Sequence, residues 1–281
     1  MAIFRKKYND ENNMGFFDHI DALRGHLFRS VIAIVVIACY VFWNKKFVFD
    51  TILFGPKKQD FITYKWMCKL GEVLHMPDLC VQVPNFKVIS TTLAGQFMAH
   101  ITISFVIGLI VAIPYVLWEL WRFISPALHE KERKAATGVV AYASLLFIVG
   151  AAFGYYFITP FSIAFLVSYN VSSEVLAMPT LDEYVDFVTS MVLMTGVAFE
   201  LPMLLYFLGR IGIVSSAMLR KFRRYAVVAV LLVAAIITPS VDMFSQTLVS
   251  IPLYALYELS IFVVARVEKR KKKEEAEFYN S

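Results

Sequence analysis

Apolar and polar residues follow one another along this chain in long blocks rather than in the short steps of a soluble fold. Runs dominated by Leu, Ile, Val, Phe and Ala cover residues 27–43, 97–117, 138–158, 187–209, 225–237 and 247–265, and the segments between them hold nearly all the charge. A helix needs about 20 predominantly apolar residues to cross the hydrocarbon core, and backbone polar groups in lipid must be satisfied within their own segment. The runs therefore predict an all-α, polytopic integral membrane protein. The run Tyr225 to Ile237 has only 13 residues. As a helix it reaches about 20 Å, against a core of about 30 Å.

Charge decides which side each connection occupies, and with it the number of crossings. The hairpin Trp121 to Lys134 carries four bases, Arg122, Lys131, Arg133 and Lys134, which puts it on the cytoplasmic side. Arg210 to Arg224 holds five bases and no acid, and residues 266–273 are strongly basic again. By contrast, 159–186 contains no Lys or Arg but four acids, Glu174, Asp182, Glu183 and Asp186. An even number of crossings must separate two cytoplasmic segments, so Tyr225–Ile237 and 247–265 read as two short spans turned at Thr238 to Asp242. The bilayer beside them is expected to be thinned. Six spans result, with both termini inside. The segment 44–96 lies outside; its seven lysines bend the charge rule, which is counted over short loops. Its recurring Phe, Ile and Leu residues predict a packed cap, with Gly55-Pro56 as a turn.

The organisation is thus a cytoplasmic segment 1–26, a six-helix membrane domain 27–265 and a charged tail 266–281. Phe17, Ile20, Leu23 and Leu27 fall on one helical face, which predicts an amphipathic helix lying at the surface before the first span. The mixed charges of the first 29 residues do not suit a cleavable leader, so 27–43 is expected to remain as an anchor.

Composition adds to this picture in two ways. Hydrophobic residues make up 59% of the chain and charged residues 17%, below the usual quarter of a soluble domain. The net charge of +5 is clustered, which suits topology and anionic lipid better than nucleic acid. Enzyme constellations are absent: the five His residues are scattered, and no Gly-x-Ser-x-Gly or phosphate-binding Gly loop occurs. No metal or cofactor is expected, and His100 reads as an interior residue. Cys68 and Cys80 share the outer loop with no His at zinc spacing; they read either as a disulfide, which an oxidising outer compartment permits, or as two free thiols. Gly150 and Gly154 form a small-xxx-small step at which helices can approach closely.

A few acids stand in unusual places. Glu200, in F-E-L-P, lies inside a span, where a charge costs roughly 2.5–3.5 kcal/mol on insertion scales and must face protein or water. Pro202 loosens the backbone beside it. At the inner surface Glu132 and Asp21 are placed to accept guanidinium groups, whose planar fork suits a carboxylate. Phe123 can add an apolar or cation–π wall beside them.

The words in which these residues occur resemble the TatC family, core membrane subunits of the twin-arginine protein translocase. F-I-S-P-A-L-H-E-K-E-R, with Phe123, Pro126 and Glu132, is similar to the family's first cytoplasmic loop, where the Phe and Glu receive the signal peptide. H-I-D-A-L-R, with Asp21, Leu23 and Arg24, resembles the N-terminal H-L-x-E-L-R. Here the family's Glu falls on Ala22, so either Asp21 substitutes from the next position or this half of the site is weaker. Phe199, Glu200 and Pro202 match F-E-x-P, whose Glu is implicated in contact with a polar residue on TatA or TatB. Pro239, Asp242, Gln246 and Pro252 follow the family's pattern in the last third, and Pro56 and Pro160 are expected to be structural. Between Ser215 and Leu219 the family's Pro-Glu-Asp is missing. The resemblance implies a receptor in the bacterial cytoplasmic membrane, binding twin-arginine signal peptides of folded cargo. It also implies single-span TatA and TatB partners, lipid contact, a homo-oligomer within the translocase, and transport powered by the proton gradient. The rival reading is a proton-coupled secondary transporter with Glu200 as its intramembrane site. The single acid recognised inside a span and the lack of an internal repeat speak against it.

Overall fold

The computed structural model describes residues 16–76, 80, 83–124, 137–169, 172, 178–238 and 243–279. Helix α1, Phe16–Trp43, is continuous through the expected boundary at residue 26. Gly25 is the one weak helix former at that boundary, and it stands in open space. Meanwhile Ala22, His26, Ser30, Ile34 and Val41 make an inward-facing stripe, so the surface segment and the first span are a single rod. It packs along α3, Gly95–Ile124. A side chain at Gly108 would meet the Ala38 backbone at 2.9–3.0 Å, which is why the two helices can approach so closely there. Helix α3 continues seven residues past the expected end at 117.

Between them, the outer segment folds as a cap. A helical turn at Lys45–Phe47 and a π-type turn at Val48–Leu53 lead to α2, Ile62–Leu74. Leu53 and Tyr64 are fully buried. The Tyr64 hydroxyl donates toward the carbonyls of Pro160 (2.8 Å) and Pro56 (3.0 Å), and burial pushes its phenol above the ordinary value. Tyr155 and Tyr184 reach in from the bundle to donate to Ile52 (2.7 Å) and Leu53 (3.1 Å) carbonyls, and Thr63 donates to the Tyr156 carbonyl. These bonds pin the cap to the bundle and give its buried hydroxyls partners. Cys68 of α2 and the half-buried Cys80 have Cα atoms 4.1 Å apart and their sulfurs joined.

The next path is α4, Thr137–Phe153, a π-type turn at Gly154–Ile158, and α5, Thr159–Ser168. The chain was expected to leave the helix at 159, but Pro160 sits in the first turn of α5, where its fixed φ is helical and its missing N–H costs least. A capping box at Thr180 and Glu183 starts α6, Leu181–Phe199, and Glu200 separates it from α7, Leu201–Ile211. Gly212, at φ +92°, ends α7 in the left-handed conformation that favours glycine. Helix α8, Ser216–Lys221, precedes the short α9, Arg223–Ile237, and then α10, Met243–Tyr279, carries Pro252. Helix α10 takes in the expected last span and continues into the charged tail, so this crossing is not short. Among the described residues, five stretches have the length and composition to span a bilayer. Helix α9, with 15 residues, is the short sixth.

The small-xxx-small step lies where α4 meets α6. A Cβ on Gly150 would stand 2.5 Å from Phe199 Cβ, and one on Gly154 would stand 2.9 Å from the Met191 carbonyl. Near the outer start of α10, Gln246 Nε2 donates to the Leu231 carbonyl of α9 at 3.1 Å. Glu268 accepts from the Ser216 backbone N–H (2.8 Å) and hydroxyl (2.5 Å), holding α8 against α10.

Candidate functional site

Two places in this bundle collect the residues singled out from sequence. The first is the inner end of the α1–α3 seam. Asp21, Leu23 and Arg24 are exposed on α1, while Ala22 is half-buried on the stripe that faces α3. One turn further along that stripe, His26 meets Phe123 of α3 edge-on, with ring centroids 6.2 Å apart. Phe123 and the first turns of α1 are thus brought together, and neither Asp21 nor Arg24 makes an ion pair among the described residues. Pro126, Glu132, Pro239 and Asp242 lie outside the described residues.

Beneath this pair sits a carboxylate that the sequence reading passed over. Glu119 is 1% exposed. His26 Nδ1 donates to one of its oxygens at 2.5 Å and the Tyr115 hydroxyl to the other at 2.8 Å. A carboxylate can only accept, so the imidazole must carry its proton on Nδ1 here. The Arg29 and Arg122 guanidiniums approach to 3.9 and 3.8 Å, and Arg122 also lies 4.8 Å over the Trp118 ring. Glu200 is therefore not the only acid buried within a helix of this bundle. Glu119 lies two residues past the apolar run 97–117, next to Trp118 and Trp121, where sequence alone suggests the membrane interface. The available signal was periodicity: Gly108, Ala112 and Glu119 continue one buried stripe of α3 at steps of four and seven.

The second place is the break between α6 and α7. Glu200 closes α6 through its N–H to the Val197 carbonyl at 3.0 Å and begins α7. Pro202 follows in the first turn of α7 and is buried. Phe199 packs on Phe153, with centroids 5.7 Å apart, and over Gly150. Glu200 Oε1 is buried with no hydrogen-bond partner. An acceptor left this way is costly in place and is ready for a donor brought by another molecule. Among the described residues no three His, Cys, Asp or Glu side chains converge as for a metal.

Crossing helices, a charged seam at their inner end and a carboxylate held at a helix break within the bundle define a polytopic membrane protein. The model of the Sec-independent protein translocase protein (TatC) family matches residues 18–252. A Blattabacterium (strain BPLAN) Sec-independent protein translocase protein TatC is 37% identical over 265 residues, covering 94% of this chain and 99% of that one. The Aquifex aeolicus protein of the same name is 34% identical over 263 residues, covering 93% and 98%. A crystal structure of the twin arginine translocase receptor TatC superposes with a TM-score of 0.66 at 31% identity, over 89% of this chain and 99% of that one. A second, in DDM, gives 0.69 at 32%, over 87% and 98%. The chain belongs to the TatC family.

Proposed function

We propose that this chain is the receptor and scaffold subunit of a twin-arginine translocase, a multi-pass protein of a bacterial cytoplasmic membrane that moves folded proteins and catalyses no covalent step. The observation that carries the reading is the pairing of Phe123 with the first turns of α1 at the inner end of the α1–α3 seam, in a chain of this family. Asp21 and Glu132 accept the guanidinium forks of the signal peptide, Phe123 and Leu23 provide the apolar wall, and Arg24 contacts the peptide from the same turn of α1. Glu200, set at the helix break by Phe199 and Pro202, offers its unpaired oxygen to a polar residue of a single-span TatA or TatB partner. Several copies assemble within the translocase, with the proton gradient as the energy source.

The test is site-directed crosslinking of a labelled twin-arginine signal peptide to the membrane-inserted protein. Asp21→Asn with Glu132→Gln abolishes the crosslink while insertion is retained, and changing the peptide's arginines to lysines weakens it, because Lys lacks the fork. Unchanged crosslinking by the double variant refutes the receptor assignment.

A further inference from the structure

We infer that Glu119 is a positioning residue of the signal-peptide site, balancing the charge of Arg29 and Arg122 and holding the inner ends of α1 and α3 at the spacing the peptide requires. The inference rests on the receptor reading. Glu119 is too deeply buried to touch a peptide itself, yet its partners come from both walls of the site: His26 and Arg29 from α1, Tyr115 and Arg122 from α3. His26 and Glu119 each lie one turn from the site on their own helix. Ala22, between Asp21 and Leu23, precedes His26 on α1, and Phe123 follows Glu119 on α3, so any slip between the helices at the hub is repeated at the site.

The electrostatics point the same way. Arg29 and Arg122 are about half exposed, 55% and 48% at their side chains, and they stand where a doubly cationic peptide is to bind. Among the described residues Glu119 is the only acid paired with either of them. Without its charge, two guanidiniums at the mouth of the seam would repel the peptide they sit beside. The distances fit balance rather than clamping. At 3.8 and 3.9 Å both arginines lie beyond hydrogen-bond reach, while the short bonds go to His26 and Tyr115, which keep the carboxylate in place.

The test measures binding of a fluorescein-labelled twin-arginine signal peptide to the purified full chain in lipid nanodiscs. Glu119→Gln keeps the shape and one acceptor oxygen but removes the charge; it is expected to weaken binding by about tenfold, more at low salt than at high salt. Adding Arg29→Gln to that variant restores the balance and returns affinity to within about threefold of the parent. A purely structural role would show neither the salt dependence nor the rescue. Arg29→Gln with Arg122→Gln in the otherwise unchanged chain binds several-fold tighter, and this variant leaves the buried carboxylate intact should Glu119→Gln fail to fold. Parental affinity in Glu119→Gln, or no gain from the arginine pair, overturns the inference. The receptor reading fails separately, if the unaltered chain does not prefer a twin-arginine over a twin-lysine peptide.

Discussion

Replacing Gly150 with Ala tests how closely the bundle is packed beside Glu200. The added Cβ would stand 2.5 and 2.6 Å from Phe199 Cβ and Cγ, and 3.0 Å from the Thr195 carbonyl. Carbon atoms prefer about 3.5–4.0 Å, so Phe199 must retreat by about 1 Å. The nearest atom is a Cβ, which no side-chain rotation can move, so α6 itself must shift. Overpacking of this kind costs about 1–3 kcal/mol, offset by the roughly 1 kcal/mol by which Ala exceeds Gly in a helix. The net is a destabilisation of up to about 2 kcal/mol; at about 2–4 °C per kcal/mol for a chain of this size, melting falls by up to roughly 8 °C. The control is Gly25→Ala, where nothing lies within 4 Å of the new atom and only the propensity gain remains. The assay is the fraction of monodisperse protein left in detergent after heating, with both variants treated together. If Gly150→Ala survives as well as Gly25→Ala, the close contact between α4 and α6 is not what holds the Phe199–Glu200 break in place.

Three further outcomes are expected. Tyr64→Phe removes the hydroxyl shared by the Pro56 and Pro160 carbonyls and costs about 1 kcal/mol or more, seen as faster proteolysis within the cap. Because folding raises this phenol's pKa, its contribution is complete below the ordinary tyrosine value of about 10 and is lost as pH climbs toward the folded value; alkaline opening of the cap that is identical in parent and Tyr64→Phe would refute the assignment. Thiol labelling of the denatured, unreduced protein should modify Cys39 alone, and two labelled loop cysteines would exclude the Cys68–Cys80 bond. Glu268→Ala strands the Ser216 N–H at a cost of about 1.5–3 kcal/mol and should expose the chain around Arg220 to Arg224 to trypsin, whereas parental cleavage rates would show that α8 does not depend on this pin.

The spans were legible because lipid penalises any unpaired backbone group, so apolar length and charge bias suffice to find them. Their ends were less legible. Helix α1 runs through its expected surface boundary, α3 passes 117 and α5 passes Pro160, each because a buried stripe or a tolerated first-turn proline outweighs a local polar signal. The acid at Glu200 could be read from its neighbours Phe199 and Pro202. Glu119 was legible only as a position on the stripe of Gly108 and Ala112, because its partner His26 is 93 residues away in sequence and charges at a helix end ordinarily mean solvent. Gly150 and Gly154 were visible as a motif, but nothing in the sequence named α6 as the partner.

The shortness of α9 has a consequence for the lipid beside it. Its 15 residues rise only about 22 Å, against the roughly 30 Å of an undisturbed core. Headgroups and water must dip toward the bilayer centre along this flank, so the barrier to a polar chain is lower here than beside the longer spans.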